Sequence, residues 1–318
     1  MTDPRPARVA AIDVGTNTVL LTVAERRGAS FAPVVERAEI TRLGRGVDRT
    51  GRLDAAAIAE TVAVLARYAA EARSLGATRI ACVATSAARD ASNGAAFFEA
   101  CRARAGVAPE IIPGGEEARL VHLSAWGDFG RPGGRLAVLD VGGGSSEVTW
   151  GAGPVPDGRR SFQMGAVRLT ERVSPADPPA ASDLARMEAA AREALGEVAA
   201  IRASGALDGA RLVAVAGTVT TLAAVAQALP VYDAGRVHGS TLRHGDLRAL
   251  LARLAGLTTA ERAGLPGMEP KRADVIVAGA VLVGAAMELG GFAELTVSDR
   301  GVRWGLLHDR FGAERSGA

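Results

Sequence analysis

The sequence contains a single lysine, Lys271, among 37 basic residues, so arginine supplies nearly all of its positive charge. A P-loop requires the sequence GK[ST], which is absent, and P-loop nucleotide-binding proteins are therefore excluded. Cysteine is also scarce, because Cys82 and Cys101 are too few for a disulfide framework and lack the spacing of a metal site. We expect both thiols to be reduced and buried.

Long hydrophobic runs are missing as well. The longest, Val275 to Met287, is shorter than the ~20 residues that a membrane helix requires. No apolar signal region precedes the first predicted strand, so we expect a cytoplasmic protein without a membrane partner. A net charge of only +2 argues against a nucleic-acid partner. The 318 residues, of which 48% are hydrophobic, have the composition of a globular protein with about two domains.

The most informative stretch is 136–150, LAVLDVGGGSSEVTW. Apolar runs on both sides of a glycine- and serine-rich centre predict two buried strands joined by a tight turn. We expect the glycines to take positive φ and to leave the backbone N–H groups open to a ligand. Carboxylates at both ends and donors in the middle suit a phosphate bound with a divalent metal ion, whereas a flexible turn with solvated acids is the simpler alternative. The candidate phosphate ligands are Gly142, Gly143, Gly144, Ser145 and Ser146.

A second copy of this pattern lies at residues 11–23, AIDVGTNTVLLTV. Asp13 matches Asp140, and an apolar run again leads through an Asp-Val-Gly sequence into a polar turn and a second apolar run. Two copies predict a duplicated lobe, each presenting a phosphate-binding hairpin, with a cleft between the lobes that receives both turns. The candidate ligands in this turn are Gly15, Thr16, Asn17 and Thr18.

Strands and helices alternate along the rest of the chain, which predicts an α/β fold. We place an N-terminal lobe at residues 1–126 and a C-terminal lobe at 127–300, with the glycine-rich segment 127–134 as connector. A terminal helix near residues 301–312 is expected to pack back on the first lobe. A third strand–helix junction carries Gly217 and Thr218, where helix amides favour an anion; a glycine required for close packing is an equal alternative.

Eight motifs in order extend these observations: DVGTNT, ATSAARDA, GGEEARL, LDVGGGSSE, MGAVRLTER, AGTVTTLAA, RADVIVAGA and SDRGVRWGLL. Over about residues 10–307, this series resembles the exopolyphosphatase / guanosine-pentaphosphate phosphatase family. The resemblance implies a duplicated actin-like fold, the ribonuclease-H-like superfold of actin, sugar kinases and chaperone ATPases. It further implies the short, two-domain form of the family and a possible homodimer.

The resemblance also implies a catalytic base. Glu117, the second glutamate of GGEEAR, would orient the attacking water, although the residues alone do not distinguish it from Glu116. Arg89 of ATSAARDA would pair with a phosphate, with an ion pair to Asp90 as the alternative.

Asp140 and Glu147, with Asp13 as a further ligand, would hold Mg²⁺ or Mn²⁺. Magnesium prefers few carboxylates and keeps several waters, which fits this set.

Some positions depart from the family. Thr16 and Thr18 stand where many members have serine, and threonine keeps the hydroxyl. Leu20 stands where many have arginine, Trp304 where glutamate is frequent, and Pro113 where serine is common.

The activity that the resemblance implies is metal-dependent release of terminal phosphate from inorganic polyphosphate, and the glycine turns, arginine and carboxylates fit the hydrolysis of a phosphoanhydride. Three alternatives remain: release of the 5′ phosphate of guanosine pentaphosphate, a kinase on the same superfold, and a non-catalytic regulator that binds polyphosphate or nucleotide. Phosphate release without an acceptor would distinguish a hydrolase from a kinase. Tight binding without turnover would indicate the regulator.

Overall fold

The structure, a computed structural model, describes residues 7–28 and 30–312. It divides into two compact units, each with its own hydrophobic core. Unit 1 contains the described residues up to Leu120 and from Val302 onward, and unit 2 contains Val121–Gly301.

The first part of the chain forms β1 Arg8–Val14, β2 Thr18–Arg27, β3 Ser30–Ile40, α1 Val47–Thr50, α2 Ala55–Ser74, β4 Ala77–Ala84, α3 Ser86–Asp90, α4 Gly94–Ala105, β5 Glu110–Ile111 and α5 Gly114–Phe129. The rest forms β6 Arg135–Val141, β7 Ser146–Gly151, β8 Gly158–Phe162, α6 Ala166–Val173, α7 Ala181–Ala194, α8 Glu197–Ala203, β9 Ala210–Val215, α9 Ala216–Ala226, α10 Ala234–Val237, β10 Thr241–Arg243, α11 His244–Ala255, α12 Thr259–Ala263, a 3₁₀ turn Pro270–Arg272, α13 Ile276–Gly290, β11 Glu294–Val297 and α14 Val302–Phe311.

Each unit is built around one mixed sheet, and the two sheets have matching strand orders. The order is β3-β2-β1-β4-β5 in unit 1 and β8-β7-β6-β9-β11-β10 in unit 2. In both sheets, the first three strands along the chain (β1–β3 and β6–β8) pair antiparallel with their neighbours. The fourth strand (β4 or β9) pairs in parallel with the first (β1 or β6). This repetition confirms the predicted α/β class and the duplicated actin-like architecture.

Local sequence explains the main elements of each unit. The central strands β1 and β6 are buried along almost their whole length, as expected for apolar runs that lie inside a sheet. Asp54 caps α2, because its side chain accepts hydrogen bonds from the amides of Ala56 and Ala57 at 3.0 and 3.1 Å. Cys82 and Cys101 are free thiols in buried positions, as predicted.

The boundary between the units differs from the one placed by sequence. It falls between Leu120 and Val121, inside the continuous helix α5, rather than at 126/127. Residues 127–129 complete α5, so the segment 127–134 lies wholly within unit 2 and is not the connector. Helix α14 belongs to unit 1, where Gly305 packs directly against the backbone of Leu120. None of the helices in the described residues is both long enough and apolar enough to span a membrane.

Candidate active site

The two hairpins predicted by sequence have the same geometry. In β1–β2 the amide of Gly15 donates to the carbonyl of Thr18 at 3.0 Å, and in β6–β7 the amide of Gly142 donates to that of Ser145 at 3.1 Å. Each turn therefore contains four residues closed by an equivalent hydrogen bond. Asp13 and Asp140 consequently occupy the same position, one residue before the end of the first strand.

A neighbouring segment binds the carbonyl groups of the first turn. The amide of Gly44 donates to the carbonyl of Thr16 at 2.8 Å, and the amides of Thr41 and Arg42 both donate to that of Asn17 at 3.1 Å. Gly44 lies so close that an added Cβ would overlap with the Thr16 side chain. The connector that follows β3 therefore fixes the orientation of the turn.

The start of α6 binds the second turn in the same way. The amide of Ala166 donates to the carbonyl of Gly142 at 2.9 Å, and the Nε of Arg168 donates to that of Gly144 at the same distance. The amides of Val167 and Arg168 donate to the carbonyl of Gly143. In both units the turn carbonyls are thus held from one side.

This arrangement leaves backbone donors unused. Over residues 7–28 and 30–312, the amides of five turn residues donate no hydrogen bond: Thr16, Asn17, Gly143, Gly144 and Ser145. Successive N–H groups with no internal partner form an anion-binding feature when the opposite carbonyls are engaged. The geometry of both turns therefore suits phosphate oxygens.

One of the two reasons for expecting glycine in the turns, positive φ, was wrong. We expected the turn glycines to need positive φ, yet none of Gly15, Gly142, Gly143 and Gly144 is in that region. The glycine that the structure requires is Gly165, since its Cβ would overlap with the carbonyl of Gly143 and lie 2.6 Å from the amide nitrogen of Gly144. Close approach of this segment to the second turn therefore requires glycine at position 165.

In unit 2, two acids face each other at the ends of β6 and β7. Asp140 and Glu147 are direct cross-strand partners, and Ser161 of β8 is the next partner in the row. Its hydroxyl donates to Glu147 Oε1 at 2.7 Å, and Glu147 is only 1% exposed. A pair of adjacent buried carboxylates is the donor set that Mg²⁺ accepts when waters complete its shell.

Two of the candidate phosphate ligands in unit 2 have engaged hydroxyl groups. The Ser146 hydroxyl donates to the carbonyl of Met164 at 2.6 Å, and the Thr218 hydroxyl donates to that of Val141 at 2.9 Å. These bonds tie the end of β6–β7 to its neighbours, so the two hydroxyl protons are not directed at a ligand. Gly217 lies against the Arg272 guanidinium with no room for a Cβ, which supports the close-packing alternative.

In unit 1, the structure distinguishes the two glutamates of α5. Glu116 pairs with Arg119 in a partly exposed ion pair, with nitrogen–oxygen distances of 2.9 and 2.6 Å. Glu117 is 7% exposed, and Arg89 Nη1 donates to its Oε2 at 3.3 Å. Burial raises the pKa of Glu117, while the charge and hydrogen bond of Arg89 and a hydrogen bond from Thr85 oppose the rise.

Arg89 forms several contacts, but one nitrogen of its guanidinium group has no hydrogen-bond partner within residues 7–28 and 30–312. Its Nη1 also donates to the carbonyl of Ile112 at 2.9 Å, and its Nε lies 3.8 Å from Asp90 Oδ1. Its Nη2 is buried and has no hydrogen-bond partner among the described residues. The ion pair with Asp90 expected as the alternative is present, and the unused donor keeps the phosphate contact a proposal.

Asp13 is 7% exposed, and its Oδ1 has no hydrogen-bond partner among the residues described. Burial and then the negative charge of Glu117 raise its pKa to about 7, and the charge of Arg303 opposes this rise. A buried carboxylate oxygen without a partner costs free energy unless a ligand satisfies it. Asp13 therefore fits the role of a cation ligand or of an acceptor for a cation-bound water.

Arg303 was missed by the sequence reasoning. It is 8% exposed, its Nη2 lies 3.0 Å from Glu36 Oε1, and its Nη1 donates to the carbonyl of Arg37 at 3.3 Å. Its signal in the sequence is its place in the motif SDRGVRWGLL, directly before Trp304.

Comparison with known proteins agrees with this geometry. A model of the Ppx/GppA phosphatase family matches residues 22–314. Exopolyphosphatase 2 of Mycobacterium tuberculosis is 41% identical over 314 residues, covering 94% of this chain and 97% of its own. Exopolyphosphatase 1 of Mycobacterium bovis is 32% identical, covering 98% and 90%. The crystal structure of the Aquifex aeolicus Ppx/GppA family member has a TM-score of 0.80 at 32% identity, covering 96% and 97% of the two chains.

Proposed function

The chain belongs to the Ppx/GppA phosphatase family, and we propose from this that it is an exopolyphosphatase, which hydrolyses the terminal phosphoanhydride bond of inorganic polyphosphate. The relatives at 41% and 32% identity bear the name exopolyphosphatase and match it over nearly their whole length. The observation that carries the proposal is the environment of Glu117, a buried carboxylate beside an arginine that has an unused donor.

The proposed reaction uses the free turn amides and the unused donor of Arg89 to bind phosphate oxygens. In unit 2, the amides of Gly143, Gly144 and Ser145 bind phosphate oxygens, because their own carbonyls are held by α6. In unit 1, Arg89 Nη2 offsets charge on the transferred phosphoryl group. Such fixed donors stabilise developing charge without reorganisation, which is the main demand of phosphoryl transfer.

Glu117 acts as the general base. The water oxygen attacks the terminal phosphorus, its proton passes to the Glu117 carboxylate, and the bond between phosphorus and the bridging oxygen breaks. The products are orthophosphate and a chain shorter by one phosphate. A pKa raised by burial makes this carboxylate a stronger base than an exposed glutamate.

The residues fit a divalent metal ion. Asp140 and Glu147, which are buried cross-strand partners, would hold Mg²⁺ or Mn²⁺ directly or through its waters. Asp13 is a separate candidate ligand, because its buried Oδ1 has no hydrogen-bond partner among the described residues. When bound, the ion supplies charge neutralisation for the phosphate oxygens.

The test is phosphate release with Mg²⁺ from short polyphosphate, long polyphosphate, guanosine pentaphosphate and ATP, measured side by side. We expect release from polyphosphate without any acceptor, and Glu117→Gln to lower kcat by ~10²- to 10⁴-fold. Glu116→Gln is the matched control on the same turn and should retain turnover, because its partner Arg119 lies at the surface. Faster release from guanosine pentaphosphate than from polyphosphate would contradict the proposed substrate. Unchanged turnover in Glu117→Gln would contradict the assignment of Glu117 as the general base.

The possible homodimer implied by the family resemblance remains a separate proposal. Sedimentation velocity of the purified chain tests it directly, because a dimer doubles the sedimenting mass. A monomer at micromolar concentration that still releases phosphate would show that dimerisation is not required for activity.

A further inference from the structure

The strand register of unit 1 places a polar cluster on the same face as Asp13. Cross-strand partners in antiparallel strands point to one face, and residues two apart on a strand share that face. Asp13 pairs with Leu20, while Ala11 pairs with Thr22, which in turn pairs with Glu36. Asp13 and Glu36 therefore lie on one face of the sheet, and Glu36 contacts residues of α14 there.

A single oxygen atom of Glu36 organises this cluster. Its Oε1 accepts a hydrogen bond from the Trp304 Nε1–H at 3.0 Å and from the Thr22 hydroxyl at 3.3 Å. Arg303 Nη2 lies 3.0 Å from the same atom. Trp304 is 2% exposed and Thr22 is fully buried, so the three donors fix the carboxylate in place.

The cluster holds Arg303 without satisfying it completely. Its Nη1 and Nη2 are engaged by the Arg37 carbonyl and by Glu36, whereas Nε is buried with no hydrogen-bond partner in the described part of the chain. The charge of Arg303 nevertheless acts on Asp13, whose pKa it lowers, and Asp13 Oδ1 also has no partner. Arg303 and Asp13 are thus buried groups of opposite charge that interact electrostatically, yet Arg303 Nε and Asp13 Oδ1 form no hydrogen bond with each other.

Competition between the Glu36 and Asp13 carboxylates for Arg303 explains why Arg303 does not pair with Asp13. A buried guanidinium pairs with the nearest carboxylate unless other acceptors restrain it, because an unpaired buried charge is expensive. Glu36 is the restraining acceptor, and Trp304 holds Glu36 in position. Loss of the negative charge on Glu36 would let Arg303 move to Asp13 and occupy the oxygen that is now open.

We propose that Glu36 and Trp304 are positioning residues that hold Arg303 as a counter-charge for Asp13 while keeping it from closing an ion pair with that carboxylate. Asp13 then stays available to a divalent cation. The inference rests on the proposed function, because it takes Asp13 to face the metal ion.

The test measures Mn²⁺ binding to the metal-free full chain by titration calorimetry, so it does not depend on turnover. We expect Glu36→Gln to weaken Mn²⁺ binding by about tenfold, the lower end of the effect of residues that orient metal ligands. Trp304→Phe removes the N–H donor together with part of the buried ring, keeps the charge of Glu36, and should cause a smaller loss of Mn²⁺ affinity. Glu39→Gln is the control, because Glu39 lies on the same strand and pairs with Arg67 at the surface.

The decisive variant is the double substitution Glu36→Gln/Arg303→Gln. If Glu36 acts by restraining Arg303, removing the arginine restores Mn²⁺ affinity to that of Arg303→Gln alone, and the effects are strongly non-additive. The proposal is overturned if the double variant binds Mn²⁺ as weakly as Glu36→Gln alone. It is also overturned if Glu36→Gln still weakens Mn²⁺ binding in a chain that carries Asp13→Asn.

Melting temperatures, measured in parallel, separate this role from a merely structural one. A structural role predicts that Glu36→Gln lowers the melting temperature and that the double variant lowers it further, without rescue of Mn²⁺ affinity. Phosphate release by the unsubstituted chain is recorded independently. A chain that binds Mn²⁺ as expected but releases no phosphate would contradict the proposed function and leave the positioning role supported.

Discussion

Replacing Asp13 with asparagine should stabilise the metal-free protein at pH 8. The carboxyl of Asp13 is 7% exposed, lacks a partner for Oδ1 and has a pKa of about 7 instead of 3.8. Burial is the main cause, followed by the charge of Glu117. The native state therefore holds a carboxylate in a place that disfavours its charged form.

Linkage gives the sign and size of the effect. The unfolded chain loses this proton near pH 4, whereas the folded chain keeps it until about pH 7, so the free energy of unfolding falls as pH rises through this interval. Each pKa unit corresponds to about 1.4 kcal/mol, so the full penalty above pH 7 is on the order of 4 kcal/mol. Below pH 4 both states are protonated and the penalty disappears.

Asparagine has the shape of protonated aspartate and no charge to desolvate. We expect Asp13→Asn to raise the free energy of unfolding by about 2–4 kcal/mol at pH 8, with little change at pH 4. Urea denaturation in the presence of EDTA, at both pH values, measures the difference. Saturating Mg²⁺ should reduce the advantage, because the cation stabilises only the carboxylate form.

Asp246→Asn serves as the control, since Asp246 is exposed in the first turn of α11. It should show no stabilisation at pH 8. The reasoning is refuted if Asp13→Asn does not raise the free energy of unfolding at pH 8. It is also refuted if the increase is the same at pH 4, because a pH-independent increase cannot come from the desolvated charge.

Three further expectations concern activity. Gly165→Ala should raise the KM for polyphosphate, because the added Cβ displaces the second turn, while Gly245→Ala, which has open space around it, should not. The acidic limb of the kcat/KM profile should lie above the ordinary glutamate pKa of 4.5, since burial raises the pKa of Glu117; Arg89→Gln should move this limb to still higher pH, as it removes the charge that lowers that pKa. Asp140→Asn should raise the Mg²⁺ concentration for half-maximal activity by at least tenfold, and an unchanged requirement would place the ion elsewhere.

The parts of the site that sequence predicted are those within one short segment. An apolar run, an aspartate, a glycine and a polar turn recur at Asp13 and Asp140, and this pattern was enough to identify two equivalent hairpins. The opposition of Asp140 and Glu147 follows from the same segment, because a four-residue turn fixes which residues face each other.

The parts that sequence missed depend on distant segments. Glu36 lies on a half-exposed strand and resembles a solvated acid until Arg303 and Trp304, more than 260 positions later, contact it. No local periodicity links these positions, since helix α14 returns to unit 1 only in the folded chain. The same limit applies to Gly165, whose necessity is visible only when α6 lies against the turn.

The two hairpins share the same turn hydrogen bond and differ in the residue that faces the aspartate across the strands. Opposite Asp140 stands Glu147, so the end of that hairpin concentrates two carboxylates and suits a divalent cation. Opposite Asp13 stands Leu20, so the first hairpin has one carboxylate beside an apolar residue, and desolvation raises its pKa to about 7. The acid that we propose as the base of unit 1, Glu117, is supplied by a helix instead of a strand, and burial raises its pKa although Arg89 opposes the rise. The two turns thus have the same backbone hydrogen bonds, and the residues facing the two aspartates give each turn a different electrostatic environment.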